Sequence, residues 1–257
     1  GGLSNNYSSA TITLDYGTLT NSATSGSSNG PARTPAIVLS AGGGTLSAGT
    51  GGTLSISGVV SGSGALTIGS AGNAGTVTLS GPNTNSGGTT ISAGALSVST
   101  TGNLGNATNV INLNGGTLSI TGTTAFSSAR VINVLASSTI NNANSGGLTF
   151  TGNVNGPTSA TVATLTISGA NSTSFTTGVI ANGSGATLGF AQNTSGTTTL
   201  TGANTYTGGT TVSAGTLVGG SVAANAFGTG TITLGHTTGS ANASVLISTN
   251  GLTYSNS

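Results

Sequence analysis

Thr199-Leu-Thr-Gly-Ala-Asn-Thr-Tyr-Thr-Gly-Gly-Thr-Thr-Val-Ser-Ala-Gly-Thr-Leu217 has a second copy in the same chain. That copy is Thr78-Leu-Ser-Gly-Pro-Asn-Thr-Asn-Ser-Gly-Gly-Thr-Thr-Ile-Ser-Ala-Gly-Ala-Leu96, aligned without a gap at a constant offset of 121 residues. Asn83 matches Asn204, Gly87-Gly88 match Gly208-Gly209, and Ser92-Ala93-Gly94 match Ser213-Ala214-Gly215. Internal self-similarity of this kind marks a chain built from stacked units, each too small to bury its apolar face alone. A weaker third copy starts at Ile167-Ser168-Gly169-Ala170-Asn171 and then drifts. An upstream companion, Ile56-Ser57-Gly58-Val59-Val60-Ser61-Gly62, is echoed loosely at Phe150-Thr151-Gly152-Asn153-Val154-Asn155-Gly156.

Outward from the repeat, the dominant local pattern is a short alternation of apolar and small polar residues. Thr11-Ile12-Thr13-Leu14, Thr53-Leu54-Ser55-Ile56, Leu66-Thr67-Ile68, Thr76-Val77-Thr78-Leu79, Thr117-Leu118-Ser119-Ile120, Leu165-Thr166-Ile167 and Thr231-Ile232-Thr233-Leu234 all follow it. A period of two bounded by Gly, Asn or Ser-Gly reads as half-buried strands joined by tight turns. Helix periodicity is nearly absent, and Gly and β-branched residues are too dense for stable helices. The exception is Thr124-Ala125-Phe126-Ser127-Ser128-Ala129-Arg130, which reads as one turn of helix.

These residues resemble the autotransporter-associated β-strand repeat, also called the passenger-associated transport repeat. The resemblance is close to complete over 199–217, departs at Pro82 and Asn85 over 78–96, and is looser over roughly 50–235. It implies a right-handed parallel β-helix in large secreted or surface-displayed bacterial proteins. It implies no activity, because the repeat is scaffold. Stacking gives an independent reason for the same architecture. Equivalent residues of successive coils lie above one another, so apolar ladders are buried and Asn or Thr form hydrogen-bonded ladders. A charged ladder would repel itself, whereas Ser, Thr and Asn stack without that cost.

The side-chain inventory fits that picture and excludes most chemistry. Charged residues make up 1% of the 257 residues, against about a quarter in an ordinary domain, and Lys, Glu, Cys, Met and Trp are absent. The groups that ionise near neutrality are Asp15, Arg33, Arg130 and His236. One carboxylate and one imidazole make neither a general acid/base pair nor the paired carboxylates of a glycosidase. They do not make a metal cage, and two Arg cannot neutralise a nucleic-acid backbone. We therefore expect a non-enzyme with no catalytic, cofactor-binding or metal residues. Disorder is opposed by a hydrophobic fraction of 34% beside a net charge of only +1, since disordered chains couple low hydrophobicity to high charge. The absence of Cys excludes a disulfide-stapled scaffold. No apolar run is long enough for a membrane-spanning helix.

Individual residues have ordinary readings. Asp15 beside Tyr16-Gly17 reads as a turn residue or an Arg partner, and His236 between Gly235 and Thr237 as an exposed turn. Arg33, in Gly30-Pro31-Ala32-Arg33-Thr34-Pro35, and Arg130 read as solubilising or pairing residues. Gly42-Gly43-Gly44 and the glycines from Gly49 to Gly52 superficially resemble phosphate loops but lack the Lys and the strand-to-helix setting. Asn-x-Ser/Thr acceptor patterns begin at Asn6, Asn106, Asn171, Asn182, Asn193 and Asn242. Some such matches arise by chance in a chain this rich in Asn, Ser and Thr, while attached sugar would solubilise a nearly neutral surface. Five Phe and four Tyr read as core stacking.

The expectation is an all-β parallel β-solenoid forming one elongated domain over residues 1–257, with 1–45 an N-terminal extension or the first coils. Coils of roughly 20–30 residues would number on the order of ten, and at about 4.8 Å each they make a rod of roughly 50 Å. The chain starts at Gly1-Gly2 without Met, as a processed chain or a fragment would. Expected location is extracellular or cell-surface, with bacterial-type secretion implied by the resemblance. The expected function is a structural module of a surface fibre or filament, with self as main partner and surface glycans or matrix as others. Residues 1–8 and 252–257 hold no charge and no Pro, so self-assembly by strand addition is expected. Two other readings are the stalk of a cell-surface adhesin and a β-sandwich filament subunit joined by donated strands.

Overall fold

A computed structural model describes residues 10–22, 35–220, 225–235 and 242–247. The fold is all-β, a parallel β-solenoid of about nine turns. It divides into two compact units, one holding Gly1–Asn112 with Gly116–Ser119 and the other Leu113–Gly115 with Ile120–Ser257. Arg33 and His236 lie outside the described residues, as do the chain's first nine and last ten residues.

In the first unit, Thr11–Leu14, Ala36–Leu39 and Val60–Gly62 form a three-stranded parallel sheet, with Thr11 opposite Ala36 and Ile37 opposite Val60. A second face stacks Gly17–Asn21, Gly44–Ile56, Leu66–Ile68 and Thr89–Ile91 in register. The pairing sets Leu46, Ile68 and Ile91 one above another, all fully buried. The residues between them point outward, giving a column of Thr18, Thr45, Thr67 and Thr90. On a third face Leu54, Val77 and Leu96 form another buried column. Period-two alternation is thus converted directly into inward apolar and outward hydroxyl ladders.

Gly44–Ile56 is long because it serves two faces. Its register slips between Ala48 and Thr53, where Gly49-Thr50-Gly51-Gly52 turns the corner with Gly51 at φ 79°. These glycines, set aside above as an imitation of a phosphate loop, form a corner of the coil.

The second unit repeats the arrangement. Ile132–Ala136, Val154–Asn155 and Ile180–Ala181 stack with Ile132, Val154 and Ile180 buried in line. Phe126–Ser128, Leu148–Phe150 and Thr173–Phe175 make a second column, continued by Thr198-Thr199-Leu200. Phe126, Phe150, Phe175, Phe190 and Tyr206 form a chain of ring contacts with centroids 5.3 to 6.4 Å apart, Phe150 and Phe175 being stacked. The five Phe and Tyr206 are core, as expected, whereas Tyr16 is exposed and Tyr7 and Tyr254 lie outside the described residues. Coil length follows from the pairing: Thr76 faces Ala95, 19 residues on, and Gly215 faces Ala243, 28 residues on.

Two expectations are corrected. The stretch 124–130 is not a helical turn but contains the strand Phe126–Ser128, whose Phe126 and Ser128 face inward. Pairing with Leu148–Phe150 fixes its backbone and overrides the weak local preference. The one helical turn among the described residues is the 3-10 segment Thr101–Leu104, where Asn103 Oδ1 accepts from the amides of Ser99 and Thr100. The donated-strand sandwich is also overturned, because every strand pairing that has a described register is parallel, whereas a sandwich of that kind pairs antiparallel.

Candidate functional site

Of the residues that ionise near neutrality, Asp15 and Arg130 are among the described ones. Asp15 sits in a bend beside Tyr16, which has φ 57° and is 87% exposed. Its Oδ1 accepts the Gly42 amide at 3.1 Å, which bears out a turn residue. Arg130 is only 6% exposed, and burial lowers the pKa of its guanidinium from the ordinary value. The solubilising reading of Arg130 is therefore corrected: the side chain is buried against the protein instead of reaching solvent. Among the described residues no group of three His, Cys, Asp or Glu could hold a metal ion.

The arrangement that recurs is built on asparagine. Asn204, 1% exposed, accepts the amide of Ile180 on Oδ1 at 2.8 Å and donates through Nδ2 to the carbonyl of Ala226. Asn83 accepts the amide of Val60 at 2.8 Å and donates to the carbonyl of Asn103 at 2.6 Å. In both copies the carbonyl of the same lower residue is taken by the next amide, Thr205 on Ile180 and Thr84 on Val60. The asparagine side chain stands in for a backbone at a corner where the chain is not a strand, and clips the coil below to the coil above. A buried amide and a buried carbonyl are satisfied by one side chain that carries its acceptor and its donor on separate atoms, whereas an ionised Asp has no donor.

The Gly-Gly pair after it has two separate reasons. A Cβ on Gly87 would fall 2.3 Å from the backbone of Gly64, and one on Gly208 would fall 2.7 Å from that of Leu188 and Gly189. Gly88 and Gly209 adopt φ 80° and 82°, a region strained for side-chain-bearing residues. The first glycine permits close approach of coils and the second permits the turn.

A family model for the passenger-associated transport repeat matches residues 73–98 and 195–218, the two segments that hold these clips. Over those two segments the chain is similar to the passenger-associated transport repeat. Comparison with curated proteins and with solved structures finds no match to either.

The two repeats differ at two buried positions, Ile91 against Val212 and Asn85 against Tyr206, and only the latter pair changes the chemistry. In the second repeat, Tyr206 is fully buried, its hydroxyl 2.6 Å from Thr210 Oγ1, and Thr210 also donates to the Phe227 carbonyl. Burial pushes the phenol pKa well up, and the Thr210 contact lowers it by less. In the first repeat Asn85 takes that place, and both Asn85 Nδ2 and Thr89 Oγ1 are buried without a hydrogen-bond partner. The two departures noted in the sequence are thus unequal: Asn85 has a structural cost, while Pro82 has none that the structure displays.

The repeated structure also extends into the following coil, which sequence reading missed. Asn103-Leu104-Gly105 lies over Asn83 and Asn85 as Ala226-Phe227-Gly228 lies over Asn204 and Tyr206. The signal was an apolar residue followed by Gly, at an offset of 123 rather than 121. The offset rises to 123 because Ala226 follows Asn204 by two residues more than Asn103 follows Asn83. It returns to 121 at Ile111 and Ile232 because the loop from Gly105 to Ile111 is two residues longer than that from Gly228 to Ile232. In the longer version Val110 covers Gly88. In the shorter one a groove of about 490 Å³ is open, lined by Thr207, Gly209, Thr211, Thr229, Thr231 and Thr233 among others. Asn171, aligned above as a third copy, makes no clip: its Nδ2 reaches only the Asn142 carbonyl at 3.5 Å.

Proposed function

We propose that this chain is a non-catalytic structural module of a secreted or surface-displayed protein, serving as a stiff, self-associating fibre or spacer segment. The observation that carries the reading is the use made of the repeated residues. Asn83 and Asn204 bond coil to coil, and Gly87 and Gly208 admit close coil contact. The features that recur therefore maintain stacking and present no reactive group. A solenoid gains stability from each neighbouring pair of coils, so repetition yields length and stiffness. A net charge of +1 leaves little long-range repulsion between copies. The passenger-associated repeat supports a surface or secreted location. No helix among the described residues is long and apolar enough to cross a membrane.

Sedimentation velocity and negative-stain electron microscopy of the purified chain test this reading. Concentration-dependent growth into filaments with an axial β-repeat is the expected result. A monomer that persists at high concentration sinks the self-assembly and leaves a spacer within a longer stalk.

The alternative is an adhesin stalk that offers a ligand-binding patch, and the open groove at Thr207–Thr233 favours it over a featureless spacer. Thr211→Arg would place a charged side chain on the groove wall. Loss of binding to a glycan or matrix array in that variant, with folding intact, would move the assignment to adhesion.

A further inference from the structure

We infer that Asn106 is a glycosyl acceptor, modified on Nδ2 by a sugar activated as a phosphate ester. Five of the six Asn-x-Ser/Thr patterns fall in described residues, and the structure separates them. Asn106, Ala107 and Thr108 are all exposed and lie in the loop that is two residues longer than its counterpart in the second repeat. Asn106 Oδ1 accepts both the Thr108 amide at 3.1 Å and the Thr108 hydroxyl at 3.0 Å. The asparagine and the hydroxyl of its own acceptor pattern are thus already folded onto each other in a compact Asx turn. The turn lies outside the strand ladder, and the coil contact of its backbone, the Asn106 amide on the Asn85 carbonyl at 3.0 Å, stays in place when the exposed side chain is modified.

The other four are placed differently. Asn182 Oδ1 accepts from Leu188 and Thr207 while its Nδ2 donates to the Thr207 hydroxyl, so it ties two coils together. Asn171 is half-buried against the Asn142 carbonyl. Asn193 is exposed but belongs to the strand Thr187–Leu200, whose backbone pairs with Ser168 on one side and Ala214 on the other. Around Asn242 the acceptor hydroxyl, Ser244 Oγ, lies 2.9 Å from Thr216 Oγ1 and is engaged with the neighbouring coil. The inference therefore stands on loop geometry and exposure, and does not depend on the spacer or adhesin reading.

In the transfer, Nδ2 forms a bond to the anomeric carbon. The C–O bond to phosphate breaks with its electron pair leaving on the phosphate, and one Nδ2 proton passes to a base of the transferase. The donor could be nucleotide-linked or lipid-linked, and the two leave different marks. Folded chain is incubated in one arm with a nucleotide-hexose and a soluble N-glycosyltransferase. In the other arm it meets a lipid-linked oligosaccharide and a membrane oligosaccharyltransferase. Elastase peptides are then weighed by mass spectrometry, since trypsin has only two sites. The expected result is a hexose or oligosaccharide increment on Asn106 in at least one arm, absent in Asn106→Gln. Thr108→Val should reduce it about tenfold or more, the scale of one hydrogen bond. Urea-unfolded chain, in which all six patterns are accessible, should spread the label over several asparagines. No increment on Asn106 in either arm overturns the inference, as does labelling of Asn171 or Asn182 in the folded chain at a rate equal to that of Asn106.

Discussion

Replacing Asn204 by Leu tests the clip directly. The substitution roughly keeps volume and removes both polar atoms, leaving the Ile180 amide and the Ala226 carbonyl buried with nothing to bond. Each orphaned group costs about 1–3 kcal/mol, so the two together destabilise by ~2–6 kcal/mol. That is a large fraction of the ~5–15 kcal/mol that holds a typical domain together. Urea unfolding should show the loss as a lower midpoint with an unchanged slope. Amide hydrogen exchange should localise it, with Ile180 losing about thirtyfold or more in protection, the equivalent of ~2 kcal/mol. Asn171→Ala is the control, because Asn171 occupies the same place in the sequence pattern but holds only a 3.5 Å contact; it should cost under ~1 kcal/mol. The reasoning fails if Asn204→Leu costs less than ~1 kcal/mol, or if both variants cost the same.

Other consequences can be checked with the same measurements. Tyr206→Phe should lose ~0.5–1.5 kcal/mol with the Thr210 contact, and a neutral thermal scan would detect it. Gly87→Ala should cost ~2–3 kcal/mol through collision with the Gly64 backbone, whereas Gly72, whose Cβ would meet nothing within 4 Å, should cost only the ~1–2 kcal/mol of its positive φ. Urea midpoints should be flat between mildly acidic and mildly alkaline buffer. Above the ordinary phenol value of 10.0 they should fall. Tyr206 is held protonated in the folded state, so its contribution is complete below the unfolded pKa and declines as pH rises past it, by ~1.4 kcal/mol per pH unit. Arg130, with a lowered pKa, acts in the opposite sense at more alkaline pH. Tyr206→Phe should shrink the alkaline loss, and a midpoint equally sensitive without the phenol would refute the assignment.

Much of the architecture could be read from single residues because a solenoid uses its sequence locally. Alternation in Leu66-Thr67-Ile68 or Thr76-Val77-Thr78-Leu79 specifies which side chains face inward, and the burial follows it residue by residue. The 121-residue repeat located Asn83 and Asn204 as equivalent, and the scarcity of charge was already a statement about what ladders tolerate. What the chain could not disclose alone was which partners lie 19 to 28 residues away. Asn171 and Asn204 look alike in sequence, yet only Asn204 meets an unpaired amide below and a carbonyl above. Phe126 and Arg130 sit in a stretch with weak helical preference, but pairing with Leu148–Phe150 makes Phe126–Ser128 a strand and Arg130 is buried. The two orphaned atoms in the first repeat, Asn85 Nδ2 and Thr89 Oγ1, also emerge only when coils are stacked. Sequence determined the face of each side chain, because alternation is a property of one strand. Tertiary structure decided which hydrogen-bonding groups each face meets, because coil length varies and that variation sets the register between neighbours.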